Sequence, residues 1–307
     1  MCEPLQLGQG PVQAGVAVDA THVYWSGGRP EGDAGPEYRS TIYAVPKAGG
    51  AARLVVGSSE GWLPKLVLSG GKLYVGLSNV DSFRSVPVSG GTPVHVLDGK
   101  ADQDTNQWDV GAGYIYVGDG CRWLRRVPLP SGSNETVFEK GCNAFSYSSV
   151  LVDGAGGYVY SLDSVHDELW KVKSSDKTEQ VIRVSNSGSL AMDDTRVYWT
   201  TRNGCNGNGT PCGSIQAIPL SGGQVTTVVA PLFDDFPVLL KADGRALYWL
   251  LRDQAARKAT ITKAPLSGGA PFALWSGDGF QPVDFAVDDA YVYIASSQYD
   301  GILRVAK

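Results

Sequence analysis

The sequence predicts an all-β fold, and three observations carry that prediction. A tyrosine-centred segment recurs seven times, at Tyr24, Tyr74, Tyr116, Tyr160, Tyr198, Tyr248 and Tyr293. A second series keeps step with it at Val45, Val86, Val127, Val172, Ile218, Ala264 and Val305, with successive spacings of 41, 41, 45, 46, 46 and 41 residues. No stretch has helical periodicity; the segments around both anchors are rich in Val, Ile, Tyr and Trp and bounded by Gly, Asp and Ser, the signature of strands and turns. A repeat of roughly 40–45 residues holding four short strands is one blade of a propeller. The expected architecture is therefore a single seven-bladed β-propeller over residues 1–307.

The first unit sets the template. Its strands are expected at Gly15–Val18, Thr21–Ser26, Thr41–Pro46 and Arg53–Val56. The hairpin between strands three and four carries Ala48-Gly-Gly50 here, Ser89-Gly-Gly91, Ser221-Gly-Gly223 and Ser267-Gly-Gly269 later, where glycine supplies the positive φ of a tight turn. The proline just before sits near an outer edge, where a missing N–H costs least. Blades are expected over 12–57, 62–98, 106–138, 145–184, 188–230, 236–275 and 282–307. The last unit stops after its third strand, and Glu3–Gln9 has the look of a fourth strand. That N-terminal strand is expected to complete blade seven and close the sheet edges. A monomer follows as the default.

Composition excludes several classes. Hydrophobic residues at 43% are enough for a core. The apolar runs fall well short of the roughly 18 residues a membrane span needs. A net charge of −5 with 26 scattered Lys and Arg argues against a nucleic-acid groove. Without helices, no glycine-rich loop opens one, so that route to nucleotides is closed.

Of five cysteines, Cys205 and Cys212 bracket a loop of polar and turn-forming residues. A bridge there would suit a secreted or periplasmic protein, and the repeat register sets Cys121 beside Cys142 as a second pair. The alternative is four free thiols; a zinc site lacks a second close pair of ligands. Cys2, directly after Met1, is expected either as a lipid-anchor position of a bacterial lipoprotein or as an incidental cysteine.

Val197-Tyr-Trp-Thr200 followed by Gly213-Ser-Ile-Gln-Ala-Ile-Pro-Leu-Ser-Gly-Gly223 resembles a YWTD repeat of the low-density-lipoprotein-receptor type, and repeats of secreted bacterial propellers. The resemblance runs through nearly the whole chain. It implies a propeller, an extracellular, periplasmic or cell-surface location and a binding role. It carries over no functional residue: the aspartate of the motif is replaced by Thr201, and the family's usual six blades are seven here.

In a propeller the 1–2 and 3–4 hairpins share one face; the 2–3 hairpins and blade links share the other. The first set is short throughout, as in Asp19-Ala-Thr-His22 and Asp193-Asp-Thr-Arg196, and the second holds every long segment, Gly27–Ser40 and Arg202–Gly213 among them. Varied loops on a rigid scaffold are where function sits. Loop aromatics gather there as candidate platforms or as plugs between blades: Trp62 and Trp108 at the channel mouth, with Trp123, Tyr147, Phe236, Phe280 and Tyr299 around it. Arg122, Arg202 and Arg252 lie on the same face. Lys65 and Asp284 occupy one equivalent first-strand position, and the mixed charge suits a polar or zwitterionic ligand.

Two constellations carry other chemistry. Asp102, Asp104, Asn106 and Asp109 have the alternating oxygen-ligand spacing that wraps Ca²⁺, without the glutamate that completes an EF-hand loop. His166 stands between Asp163 and Asp167 as a candidate acid–base or weak metal group; three histidines in all leave little for a triad or multi-histidine centre. The expected function is non-enzymatic: a secreted or surface-tethered module binding a small polar ligand, glycan, peptide or protein at the channel mouth. The alternative is a lyase or hydrolase using His166 and carboxylates, with or without a divalent ion.

Overall fold

The computed structural model describes all residues except 1–2, 13, 29–39, 59–64, 78–81, 99–107, 120–122, 131, 140–147, 154–156, 164–165, 185–186, 202–210, 231, 234–236, 238, 254–256, 268, 279–281 and 298. The chain is a seven-bladed β-propeller. Each blade is a four-stranded antiparallel sheet. Blade 1 is β2 (Ala14–Val18), β3 (His22–Gly27), β4 (Ser40–Pro46) and β5 (Arg53–Ser58). Blade 2 is β6 (Leu66–Ser69), β7 (Lys72–Leu77), β8 (Ser82–Pro87) and β9 (Val94–Asp98). Blade 3 is β10 (Trp108–Gly111), β11 (Tyr114–Asp119), β12 (Trp123–Pro128) and β13 (Glu135–Glu139). Blade 4 is β14 (Ser148–Val152), β15 (Tyr158–Asp163), β16 (Glu168–Lys173) and β17 (Glu179–Arg183).

Blade 5 is β18 (Ser187–Met192), β19 (Arg196–Thr201), β21 (Ser214–Pro219) and β22 (Thr226–Val229); a short ribbon of β20 (Pro211–Cys212) and β23 (Leu232–Phe233) accompanies it. Blade 6 is β24 (Leu239–Ala242), β25 (Ala246–Asp253), β26 (Lys258–Pro265) and β27 (Phe272–Asp278). Blade 7 is β28 (Pro282–Val287), β29 (Tyr291–Ser296) and β30 (Gly301–Ala306), completed by β1 (Leu5–Gln9), which pairs with β30 from Leu5 opposite Arg304 to Gln9 opposite Gly301. The N-terminal strand thus finishes the last blade. The blades form two compact units, one essentially blades 3 to 6 and the other blades 7, 1 and 2.

Within each unit the core lies between neighbouring blades, and strand alternation explains it. The anchor tyrosine of one blade packs against the two residues flanking the anchor of the next. Tyr293 meets Val23 and Trp25, and Tyr24 meets Leu73 and Val75. Tyr160 meets Val197 and Trp199, and Tyr198 meets Leu247 and Trp249. All of these side chains are buried. Burying one such ring stabilises by about 1.5–3 kcal/mol, so each junction is strongly apolar in its middle.

Polar fastenings lie at the short-turn ends. Asp19, Asp193, Asp243 and Asp288 each accept two backbone amides through Oδ1, and each takes the hydroxyl of the tyrosine five residues on through Oδ2 at 2.7–3.0 Å. Burial first and then the carboxylate push the four tyrosine hydroxyls up from their ordinary pKa. Burial pushes the Asp288 carboxyl up, but the Lys47 ammonium at 2.7 Å, the amides of Ala290 and Tyr291 and the Tyr293 hydroxyl outweigh it and hold it at about 2.

A second fastening joins blade to blade. Arg304, Arg126 and Lys171 each precede the Val anchor of strand three, and each lies over a tyrosine of its own blade: Tyr291 at 4.5 Å, Tyr114 at 4.5 Å and Tyr158 at 4.1 Å. Each also donates to the carbonyl two residues past the anchor of the next blade, that of Lys47, Ser174 or Leu220. At the blade 1–2 junction Arg53 of β5 reaches the matching Val88 carbonyl at 2.7 Å. A cation held by a ring face and a carbonyl keeps its stem packed and its charge solvated by dipoles.

Candidate functional site

The loop-rich ends of the blades lie at the ends of β3, β7, β11, β15, β19, β25 and β29. In blade 4 the β15–β16 hairpin gathers the best-formed group. Asp163, the last residue of β15, is buried at 4% exposure. Its Oδ1 accepts the His166 backbone amide at 3.0 Å, and its Oδ2 lies 2.7 Å from His166 Nδ1. The carboxylate fixes the ring at Nδ1, and the residue is half-buried. Glu168 stands opposite Asp163 across the hairpin, buried, and pairs with Arg183 at 2.6 Å. Asp167 is exposed, in a turn, with φ 55. Sequence spacing identified the three residues; the Glu168–Arg183 pair beside them was missed, though its register was readable from the strand alternation.

The first-strand residues divide by blade. In blade 7 Asp284 Oδ2 accepts the Val16 amide of blade 1 at 2.9 Å, and Oδ1 accepts the Phe285 amide at 2.8 Å. In blade 3 Asp109 plays a similar part: Oδ1 takes the Val110 amide and Oδ2 takes the Val152 amide of blade 4, each at 2.9 Å. Its carboxylate therefore staples two inner strands, and Asp102, Asp104 and Asn106 lie outside the described residues. Trp108 is 2% exposed, so its indole is core between strands rather than an open ring at the surface. Lys65 and Arg252 are half-buried, and Tyr299 is exposed, its carbonyl accepting the Gln6 side-chain amide. Trp123 begins β12. Trp62, Arg122, Tyr147, Arg202, Phe236 and Phe280 lie outside the described residues. So do Cys2, Cys121, Cys142 and Cys205, while Cys212 is placed in β20 by its backbone. Among the described residues no three His, Cys, Asp or Glu side chains converge to hold a metal ion, and no helix is long and apolar enough to cross a membrane.

No family model matches the sequence, and no curated protein matches it. Solved structures do resemble the fold. A computationally designed protein superposes with a TM-score of 0.62 at 11% identity, covering 98% of this chain and 99% of its own. A Neurospora crassa WD40 domain gives 0.61 at 11% identity, covering 99% and 95%. A structure of a nidogen/laminin complex gives 0.53 at 11% identity, covering 78% of this chain and 90% of the matched one. At these identities the likeness is one of fold.

Proposed function

We propose that this protein is a non-enzymatic binding propeller, secreted or tethered at a cell surface, that grips a ligand or partner with the loop-rich ends of its blades. The observation that supports this reading is the inequality of the two blade ends. In blades 1, 5, 6 and 7 the short-turn ends are fastened by an aspartate and a tyrosine, and cations bridge some neighbouring blades, which leaves them little freedom to adapt. The opposite ends carry connections as long as Gly27–Ser40, and long, varied connections on a rigid frame are suited to recognition. The propeller of a nidogen/laminin complex is a precedent for partner binding by this fold. The test is binding to glycan and peptide arrays by the parent and by Trp62→Ala and Arg202→Ala variants of unchanged melting behaviour. A specific hit weakened in the variants supports the reading. A hit abolished instead by changes in the short turns counts against it.

One observation favours a second reading. A carboxylate at 2.7 Å from His166 Nδ1 is the arrangement that holds an imidazole ready for acid–base work at its other nitrogen. On that reading the protein is a hydrolase or lyase, with or without a divalent ion. A metal-supplemented activity screen in which His166→Ala removes the only turnover found would favour it.

A further inference from the structure

In six blades the outermost strand follows the third strand directly in the chain, whereas blade 7 takes its outermost strand, β1, from far away in the sequence. No hairpin therefore ties β1 to β30. Its connection runs through residues 10–13 to β2 of blade 1 instead. The hold on β1 is also slight. Leu7 is its one large buried side chain, packed in a cluster with Trp25, Val45, Tyr293 and Ile302. Leu5, Gln6 and Gln9 are exposed. The ladder to β30 shifts register between Gln6 and Gly8, so Leu7 has no residue opposite it. Beyond the ladder, the Gln6 side-chain amide donates to the Tyr299 carbonyl at 2.9 Å, and the Gly10 amide donates to the Asp300 carbonyl at 2.7 Å.

The seat that β1 occupies is nevertheless selective. A Cβ at Gly8 would stand 3.2 Å from Val45 Cβ and Cγ1 and 3.3 Å from Trp25 Cη2. A Cβ at Gly301 would collide with the Gly8 carbonyl oxygen. The β30 edge of blade 7 and the Trp25–Val45 side of blade 1 thus form a groove for one kind of segment. It must be extended, with a large apolar residue followed by a glycine, the order that Leu7-Gly8 supplies.

We propose that this groove is an interaction surface for a second copy of the chain, with β1 as an exchangeable strand: β1 of one molecule completes blade 7 of another, and the reverse. The fit itself names the occupant, because each copy carries a segment already matched to the groove in its side chains, its glycine and its register. Exchange of an identical element is a low-cost route to a dimer, since the contacts are those of the single molecule. Concentration then sets how far it goes.

The test places the two halves of one cross-link on different copies. Leu5 lies opposite Arg304, and residues directly opposite on antiparallel strands come within disulfide reach. Full-length Leu5→Cys and Arg304→Cys chains are unfolded together, refolded over a range of concentrations and mildly oxidised. A linked heterodimer is expected in the mixture and not with either variant alone. While it is the minor species, its ratio to monomer should rise roughly tenfold for a tenfold rise in concentration. Adding Gly8→Val to the Leu5→Cys chain should lower the linked fraction by roughly tenfold. The unsubstituted chain, refolded in parallel, should show a matching dimer by light scattering, so the test does not hang on the variants folding. Three results overturn the proposal. The first is an unsubstituted chain that stays monomeric at every concentration. The second is a dimer that yields no cross-link in the mixture although the Leu5→Cys/Arg304→Cys double variant links within one chain. The third is a cross-link that Gly8→Val leaves unchanged or that either single variant forms equally well alone.

Discussion

Blades 1 and 5 reverse the chain between their first two strands with an aspartate, and blades 2 and 3 do it with residues of positive φ. In Asp19-Ala-Thr-His22 and Asp193-Asp-Thr-Arg196 the middle residues keep ordinary φ, and the aspartate carboxylate holds the turn through two amides. In Ser69-Gly-Gly-Lys72 and Gly111-Ala-Gly-Tyr114 the two middle residues have φ of +56 and +70, and of +52 and +79. Doubly positive turns match the twist of the flanking strands unaided, whereas the commoner turn splays them and gains from an Asx bond. Both solutions give one register: Ala17 faces Tyr24, and Val67 faces Tyr74. The tyrosine is thus required for packing, and its hydroxyl partner is exchangeable. Tyr116 donates instead to Ser174 Oγ of the next blade at 3.1 Å. Blade 4 shows the limit. Its turn is two residues longer, with Leu151 facing Tyr160; Asp153 accepts the Gly157 and Tyr158 amides, and the buried Tyr160 hydroxyl has no hydrogen-bond partner among the described residues.

The contrast can be broken most forcefully at Asp288. Asp288→Ala removes the Lys47 ion pair, two amide bonds and the acceptor of Tyr293, and is expected to cost about 3 kcal/mol in urea denaturation. Asp193→Ala, which lacks that ion pair, should cost about 2 kcal/mol, while Ser69→Ala at the matching place in blade 2 should change stability by less than about 0.5 kcal/mol. Gly70→Ala meets no atom within 4 Å but must keep φ +56, so backbone strain alone should cost about 1 kcal/mol. The tyrosines sharpen the comparison further: Tyr198→Phe should lose about 1 kcal/mol, and Tyr160→Phe, which deletes a hydroxyl without a hydrogen-bond partner among the described residues, should be neutral or stabilising.

The same aspartate also makes the comparison depend on pH. Asp288 is held at about 2 in the fold, below the value of about 3.9 of an unfolded aspartate. The unfolded chain therefore takes up the proton first as pH falls. The stabilisation is complete above about pH 4 and is lost on the way to pH 2. The stability gap between the parent and Asp288→Asn should close across that window.

The strands and the completion of blade 7 were legible because they rest on local pattern: turn residues at fixed places, β-branched and aromatic residues between, and a fourth-strand look to Glu3–Gln9. The aspartate–tyrosine fastening was half legible. The five-residue spacing of Asp19 and Tyr24, repeated at Asp193, Asp243 and Asp288, was in view, but a spacing does not say that the hydroxyl reaches the carboxylate. The cation bridges of Arg126, Lys171 and Arg304 went unread. Their mark is a coincidence between a cation before one anchor and a tyrosine two before the other, at Tyr114, Tyr158 and Tyr291. Trp108 was expected at the channel mouth and lies in the core, because alternation along β10 sets its side and loop proximity does not. The pairing of His166 with Asp163 is a matter of hairpin geometry that residue types alone leave open.

The strand that completes blade 7 also imposes an order on folding. Every ladder of blades 3 to 6 joins segments near one another in the chain, and each can form as soon as its own residues have left the ribosome. The pairing of Leu5 with Arg304 spans almost the whole chain, and closing so long a loop carries an entropic penalty that local hairpins escape. Until residues 301–306 are made, β1 has no partner, and its backbone is an open template for other chains. β1 therefore waits unpaired while the roughly 290 residues between it and β30 are made, and chaperone capture or a circular permutation joining β1 directly after β30 would shorten that exposure.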